Sequence, residues 1–176
     1  MCTTYYPILL AALPILLGIV GCVPLQQYRS TQSDDGICDV NDADRKCGTD
    51  MVQRIKTDEG NMFQLGFIEF DDQGQLWDRD KQKQHVVETI AKLGETQDLI
   101  MVVFVHGWKH SAAPNDGNID TFRSVLSDLT DAEVAMSNLK GVEPRKVFGV
   151  YLGWRGESVS MPSSRYVGQA CRQNPQ

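Results

Sequence analysis

Residues Asp98–Val105 read DLIMVVFV, and this stretch decides the fold class. The residues after Asp98 are all apolar and do not alternate with polar ones, which is the pattern of a strand covered on both faces. Such strands lie in the centre of a parallel sheet that is flanked by helices. The stretch therefore predicts an α/β domain in which Asp98–Val105 is a central strand.

The sequence on either side supplies the other elements of a partial α/β sheet. Met62–Phe70 is rich in aromatic and β-branched residues and, together with Gln75–Trp77, predicts a β-hairpin. Apolar residues at helical spacing predict helices over Asp78–Gly94 and Ile119–Leu139. Lys146–Leu152 predicts a second buried strand, so that the two buried strands and the helix between them form a βαβ unit.

The composition is globular with an acidic balance. The chain has 176 residues, of which 17 are Lys or Arg and 23 are Asp or Glu, giving a formal net charge of −6. This length suits one domain, and a hydrophobic content of 41% excludes a collagen-like or wholly disordered chain. Because an acidic chain lacks the positive field that phosphate binding requires, nucleic acid is not expected as a partner.

Residues 1–21 predict a lipoprotein signal peptide. The apolar run Ile8–Val20 is shorter than the roughly 20 residues that span a bilayer, but it suits the apolar region of a secretory signal. Ile19–Cys22 then resembles the lipobox of bacterial lipoproteins, in which the cysteine is lipidated and becomes the first residue. The resemblance implies attachment to membrane lipid through Cys22 and a place in the cell envelope, at the outer membrane, on its periplasmic or surface face. A plain signal peptide or a short uncleaved anchor is the alternative, because no positively charged side chain precedes Ile8.

Residues 22–60 predict an acidic, disordered linker between the anchor and a domain over 61–160, because Gln, Ser, Thr and Asp dominate much of this range. An exported chain meets an oxidising compartment, so Cys38 and Cys47 can form a disulfide, which leaves Cys171 unpaired. A calcium loop that starts at Asp39 is not predicted, because Ala43 stands at its third ligand position.

A candidate site follows the predicted central strand, where ligands bind in open α/β sheets. Phe104–Trp108 (FVHGW) resembles the His-Gly segment after the third strand of α/β-hydrolases. Tyr151–Gly156 (YLGWRG) is similar to the segment after the fourth strand in a group of bacterial hydrolase-like lipoproteins and esterases, and the resemblance extends over about residues 63–161.

The resemblance implies an oxyanion loop formed by His106, Gly107 and Trp108. In that family the backbone N–H at the position of Trp108 faces the developing negative charge, and Gly107 would permit a tight turn. A glycine turn with a structural histidine is the alternative. His106 and His110 have the spacing of helical zinc ligands, but they follow a strand, so we predict neither a metal site nor a cofactor.

The chain lacks the nucleophile motif of these hydrolases, G-x-S-x-G on a sharp turn. The nearest match is Gly156–Ser160, in which Ser160 replaces the last glycine and Ser158 follows the fourth strand instead of the fifth. No Asp, Glu or His follows Ser158. The resemblance therefore implies only the amino-terminal part of a hydrolase, truncated near residue 160 and followed by an irregular tail over 161–176.

In the family the third strand pairs with the fourth and the fifth, so such a truncation would leave an apolar strand edge uncovered. A missing carboxyl-terminal half or a partner chain would then be needed to cover it. These features predict a lipid-anchored α/β-hydrolase-like fragment that is inactive alone. The alternative is a periplasmic or surface binding lipoprotein whose small non-catalytic domain presents Trp108, Lys109, Trp154 and Arg155 to a partner.

Overall fold

The computed structural model of the chain describes residues 26–33, 36–108 and 110–154. The predicted signal peptide, Cys22, Lys109, Arg155, Ser158 and the tail over 161–176 lie outside these residues. The described part forms a mixed five-stranded sheet with three α-helices, which confirms the α/β class. None of the described helices combines the length and the apolar character needed to cross a bilayer.

Strands and helices alternate along most of the described chain. The strands are β1 (Ile37–Asp39), β2 (Val52–Lys56), β3 (Met62–Phe70), β4 (Leu99–Val105) and β5 (Lys146–Trp154). The helices are α1 (Ala43–Cys47), α2 (Lys81–Gly94) and α3 (Gly117–Lys140), with short 3-10 turns at Val40–Asp42 and Trp77–Asp80. The strand order is β1-β2-β3-β5-β4, and only the β2–β3 pair is antiparallel.

The centre of the α/β core is β5, which pairs in parallel with β3 on one side and β4 on the other. Helix α3 packs so closely on one face that a Cβ added to Gly149 of β5 would collide with Leu126 of α3. Helix α2 covers the opposite face at β3, where a Cβ added to Gly66 would lie 2.9 Å from a methyl of Val86. Glycine in these strands therefore sets how near the helices approach the sheet.

Strand β4 lies at the edge of the described sheet, and the prediction that both its faces are covered is wrong. Ile100, Val102 and Phe104 pack into the core on the α3 side. On the other face Met101, Val103 and Val105 are 57%, 52% and 55% exposed, because α2 packs mainly over β3. In the described residues no strand pairs with the outer edge of β4.

The predicted hairpin between Met62–Phe70 and Gln75–Trp77 does not form as two paired strands. The antiparallel partner of β3 is β2, and the turn between them is closed by a 2.8 Å hydrogen bond from Thr57 N–H to the carbonyl of Asn61. Residues 75–77 contribute only an isolated bridge between Phe70 and Leu76 before the chain enters the 3-10 turn at Trp77.

Composition predicts a flexible linker over 22–60, but the described residues of this range are folded into the domain. They contain β1, α1 and β2, and the side chains of Cys38 and Ile55 are fully buried. Cys38 and Cys47 form a disulfide with a Cα–Cα distance of 6.4 Å. Some polar residues of the segment, Arg29 and Asp44 among them, have partners that are distant in sequence, which composition alone does not reveal.

Candidate functional site

His106 joins the carboxyl ends of the parallel strands β4 and β5. Its side chain is only 2% exposed. The backbone N–H of Trp154 donates to Nε2 over 2.9 Å, so Nε2 carries no hydrogen, and Nδ1–H donates to the carbonyl of Gly107 over 2.7 Å. Both ring nitrogens are therefore occupied within the fold, and His106 is a structural histidine that fixes the start of the loop.

Aromatic stacking holds the same imidazole in place. The ring of His106 stacks on Trp154 with a centroid distance of 4.1 Å and lies 5.7 Å from the ring of Tyr151. Because the ring is held by stacking and by two hydrogen bonds, the backbone at 106–108 has a defined position relative to the end of β5.

Gly107 and Trp108 begin the loop beyond β4. The φ angle of Gly107 lies outside the left-handed region, and a Cβ added there would have no heavy atom within 4 Å. The carbonyl of Gly107 accepts a hydrogen bond from the His110 N–H over 3.4 Å, so a turn begins here, but its backbone does not require a glycine. The surface beside Gly107 is open. The side chain of the neighbouring Trp108 is 72% exposed.

The later part of the loop rests on β5. Tyr151 donates its hydroxyl hydrogen to the carbonyl of Ser111 over 3.1 Å. Burial, together with the negative charge of Asp116, raises the pKa of Tyr151 above its ordinary value, so the phenol keeps this hydrogen. A Cβ added to Gly153 would lie 2.9 Å from the Cβ of Ala112, which explains the glycine before Trp154.

A buried arginine from the amino-terminal segment holds the loop from the other side. Arg29 has no solvent exposure, and its Nε–H donates to the carbonyl of Ala112 over 2.7 Å. The guanidinium also donates to the carbonyl of Gly48 and to the Asp44 carboxylate, and it lies 4.2 Å from the ring centroid of Phe67. Burial lowers the pKa of Arg29 to about 10, so it stays charged at neutral pH.

Asp44 connects this arginine to the loop and to α3. Its carboxylate accepts hydrogen bonds from Arg29 and Arg123 and, over 2.6 Å, from the backbone N–H of Asn115. Burial acts to raise the pKa of Asp44, but the hydrogen bond and charge of Arg123, the N–H of Asn115 and the charge of Arg29 together outweigh it, so this pKa lies below its ordinary value. We call Arg29, Asp44 and Arg123 the arginine clamp.

The arginine clamp was missed by sequence reasoning. Arg29 and Ala112 are 83 positions apart, and Asp44 and Arg123 are 79 apart. No local pattern marks them, because Arg29 and Asp44 lie in a segment whose composition suggests a solvated linker. Arg123 stands one position after Phe122 on the helix, and its burial is a tertiary property that the sequence does not show.

His110 and Asp116 form a second, local pair at the end of the loop. The Nδ1 of His110 lies 3.0 Å from the Asp116 carboxylate, which also accepts from the backbone N–H groups of Ser111 and Asn118. Asp116 is thus the N-cap of α3 and orients His110 at the same time. Among the described residues no group of three His, Cys, Asp or Glu side chains could hold a metal ion.

No protein-family model, curated protein or solved structure matches this chain. The structure brings His106, Gly107 and Trp108 together with Trp154 at the carboxyl ends of β4 and β5. Cys22 and Ser158 lie outside the described residues. The described loop can offer a fixed backbone with open space beside Gly107, but its buried histidine has no ring nitrogen left for proton transfer.

Proposed function

We propose that the chain is a lipid-anchored, α/β-hydrolase-like scaffold that keeps the oxyanion loop at His106–Trp108 and does not hydrolyse esters by itself. The observation that carries this proposal is the double hydrogen bonding of His106 to Gly107 and Trp154. It fixes the loop backbone before any ligand binds, and oxyanion stabilisation depends on donors that are fixed in this way.

The topology around the loop supports the hydrolase-like part of the proposal. In the family the third strand pairs with the fourth, and here β4 pairs in parallel with β5 after a crossover through α3. The family's third strand also pairs with its fifth, and the outer edge of β4 has no strand beside it in the described residues. A further strand from another chain would fit this edge.

The expectation that the chain does not turn over esters rests on the missing nucleophile motif and on the bonding of His106. A serine nucleophile needs a histidine that can take its proton. The two ring nitrogens of His106 are already bound to Gly107 and Trp154, and the sequence has no G-x-S-x-G motif. A fixed donor without an activated nucleophile binds an anionic or carbonyl group but does not cleave the ester.

The catalytic part is tested on the full chain in a non-ionic detergent. We expect neither hydrolysis of a p-nitrophenyl ester nor covalent labelling by a fluorophosphonate probe above background. Labelling that Ser158→Ala abolishes and Ser163→Ala preserves would overturn the proposal, because it would identify Ser158 as a working nucleophile.

The oxyanion loop is tested with methylphosphonate, which presents the tetrahedral anionic shape of the intermediate. We expect its binding to shift the backbone amide resonance of Trp108. Gly107→Ala, which narrows the open space, should weaken this binding about tenfold. Gly117→Ala is the matched control, because a Cβ at either glycine meets no atom within 4 Å. Equal binding of methylphosphonate by both variants would argue against an oxyanion loop at Gly107.

The anchor is tested by labelling cells with a radioactive fatty acid. Our proposal predicts that the label enters the chain and is lost in Cys22→Ser. Cys171→Ser is the control and should keep the label, since Cys171 lies far from the lipobox-like segment. Unchanged labelling in Cys22→Ser would remove the anchor from the proposal.

A second function, binding without chemistry, is favoured by the 72% exposure of Trp108, because large exposed aromatic side chains are common in binding surfaces. Trp108→Ala separates the two functions. The oxyanion loop uses the backbone at this position, so phosphonate binding should survive the substitution. A binding lipoprotein that uses the indole would lose its partner.

A further inference from the structure

A cleft of about 710 Å³ lies between α2 and the strands β2 and β3. Its floor contains Val52, Arg54 and Gln64. These side chains lie on one face of the sheet, because Arg54 pairs with Gln64 and Val52 pairs with Gly66 in the antiparallel register. Contact between Gly66 and Val86 identifies this as the face that α2 covers. We call this space the α2 cleft.

Gln64 indicates that the α2 cleft takes a ligand. Its Oε1 is buried and has no hydrogen-bonding partner, and in the part of the chain that the structure describes it is the one buried side-chain oxygen or nitrogen of this kind. A buried acceptor without a donor is unfavourable. The last torsion of a glutamine side chain is soft, so Oε1 can turn toward a ligand N–H in the cleft, which would remove that cost.

The α2 wall of the cleft carries one charge of each sign. Glu88 and Lys92 both line the cleft and are exposed. They are four positions apart on the helix, which separates them by about 6 Å along its axis. The attraction between exposed side chains at this spacing is weak, so the charges of a ligand can replace it. Glu88 already accepts a hydrogen bond from the Gln84 amide over 2.7 Å, and a carboxylate can accept several.

The positions of these groups match a dipeptide. Two extended residues span about 7 Å, so the ammonium group can reach Glu88 while the carboxylate reaches Lys92. The peptide N–H between the two ends is a donor of the kind that Gln64 Oε1 lacks. Val52 and Leu93 add apolar surface for small side chains, and the volume lies within the range of ligand pockets. A free amino acid carries both charges on one carbon and is too short to reach both residues.

We propose that the α2 cleft binds a free dipeptide, with its ammonium group at Glu88, its carboxylate at Lys92 and its peptide N–H on Gln64 Oε1. The site does not depend on the hydrolase-like function proposed above, because no described residue of the loop after β4 lines the cleft. The inference therefore gives the chain a binding role that stands apart from the oxyanion loop.

The test is calorimetric titration of the full chain in a non-ionic detergent with L-alanyl-L-alanine. We expect saturable binding. The N-acetylated dipeptide lacks the ammonium group and the dipeptide amide lacks the carboxylate, so each should bind about tenfold more weakly, as should free alanine. Absence of dipeptide binding, or equal binding of the blocked forms, would overturn the proposal.

Charge variants locate the two ends of the ligand. Glu88→Gln should weaken dipeptide binding about tenfold and leave binding of the N-acetylated form unchanged, because that form has no ammonium group to lose. Lys92→Met should do the same for the dipeptide and the dipeptide amide. Glu95→Gln and Lys140→Met are the controls, since both residues are exposed and neither lines the cleft. Equal weakening by the controls would contradict this placement.

Gln64→Leu separates binding from folding. It removes the unpaired oxygen, so the unfolding temperature should be unchanged or higher, while dipeptide binding weakens about tenfold because the peptide N–H loses its acceptor. Thermal unfolding and calorimetry on the same sample measure both effects. Dipeptide binding as tight as that of the wild type would show that the ligand does not use Gln64 and would overturn the proposed site.

Discussion

The Nε–H of Arg29 donates to the carbonyl oxygen of Ala112 over 2.7 Å, and neither residue is accessible to solvent to more than 1%. This bond joins the amino-terminal segment to the loop after β4. A buried guanidinium needs several acceptors, and Arg29 has them in Ala112, Gly48 and Asp44. The position of the loop therefore depends on a segment that composition alone assigns to a linker.

Arg29→Met should lower the free energy of unfolding by about 3 kcal/mol, because it leaves buried acceptors without donors. Urea unfolding monitored by tryptophan fluorescence measures the change. Arg45→Met is the control: Arg45 is exposed and pairs with Asp42 at the surface, so its loss should change the free energy of unfolding very little. Equal costs for the two variants would show that the arginine clamp is not a stabilising element.

The lowered pKa of Asp44 predicts a specific dependence of stability on pH. A carboxyl whose folded pKa lies below its unfolded pKa, which is about 3.9 for aspartate, stabilises the fold above that value. This stability is lost as the pH falls through the folded pKa. The free-energy difference between wild type and Asp44→Asn should therefore be largest at pH 7 and shrink toward pH 2.5.

Urea unfolding at both pH values tests this dependence. Asp72→Asn is the comparison, because Asp72 is an exposed aspartate in the turn after β3. A difference between wild type and Asp44→Asn that stays constant from pH 7 to pH 2.5 would mean that the charge of Asp44 does not stabilise the fold.

Gly153→Ala should destabilise the protein by about 1–3 kcal/mol, because the new methyl group would be forced against the Cβ of Ala112. Thermal unfolding measures the loss. Gly107→Ala should leave the transition nearly unchanged, since its methyl group would enter open space. If Gly107→Ala destabilised the protein more than Gly153→Ala, the loop would have to lie differently on β5.

The exposed face of β4 predicts self-association. Val103→Lys places a charge on this face of the edge strand, which should raise the concentration at which the protein aggregates. The free energy of unfolding should change by less than about 1 kcal/mol. Light scattering against concentration measures the effect. Val125→Lys alters a similarly exposed valine on α3 and should leave aggregation unchanged. If both variants aggregate less than the wild type, the effect comes from net charge and not from the exposed face of β4.

The βαβ unit could be predicted from sequence because its signals are local. The apolar runs of β4 and β5 and the helical spacing of α3 each lie within one element. The place of β4 in the sheet could not be predicted, because an unbroken apolar run looks the same in a covered strand and in an edge strand. The exposure of Met101 and Val103 depends on where α2 packs, which is a tertiary property.

The candidate site, too, could be predicted from the sequence only in part. The HGW segment is visible in the sequence, and its place after a strand could be predicted. The partners of His106 could not, because the acceptor and the donor it uses are backbone groups of Gly107 and Trp154. Backbone partners leave no mark in residue types, and this is also why Ala112 was not recognised as the acceptor of Arg29.

The Cys38–Cys47 disulfide makes the arginine clamp depend on redox conditions. Asp44 lies inside the loop that this bond closes, and the carbonyl of Gly48 directly follows it, so two acceptors of Arg29 are held by one covalent link. In a reducing cytoplasm this link would not persist, and the clamp would have to form on an unconstrained chain. Completion of the arginine clamp is thereby coupled to oxidation of Cys38 and Cys47, and copies that stay reduced would be more open to proteolysis.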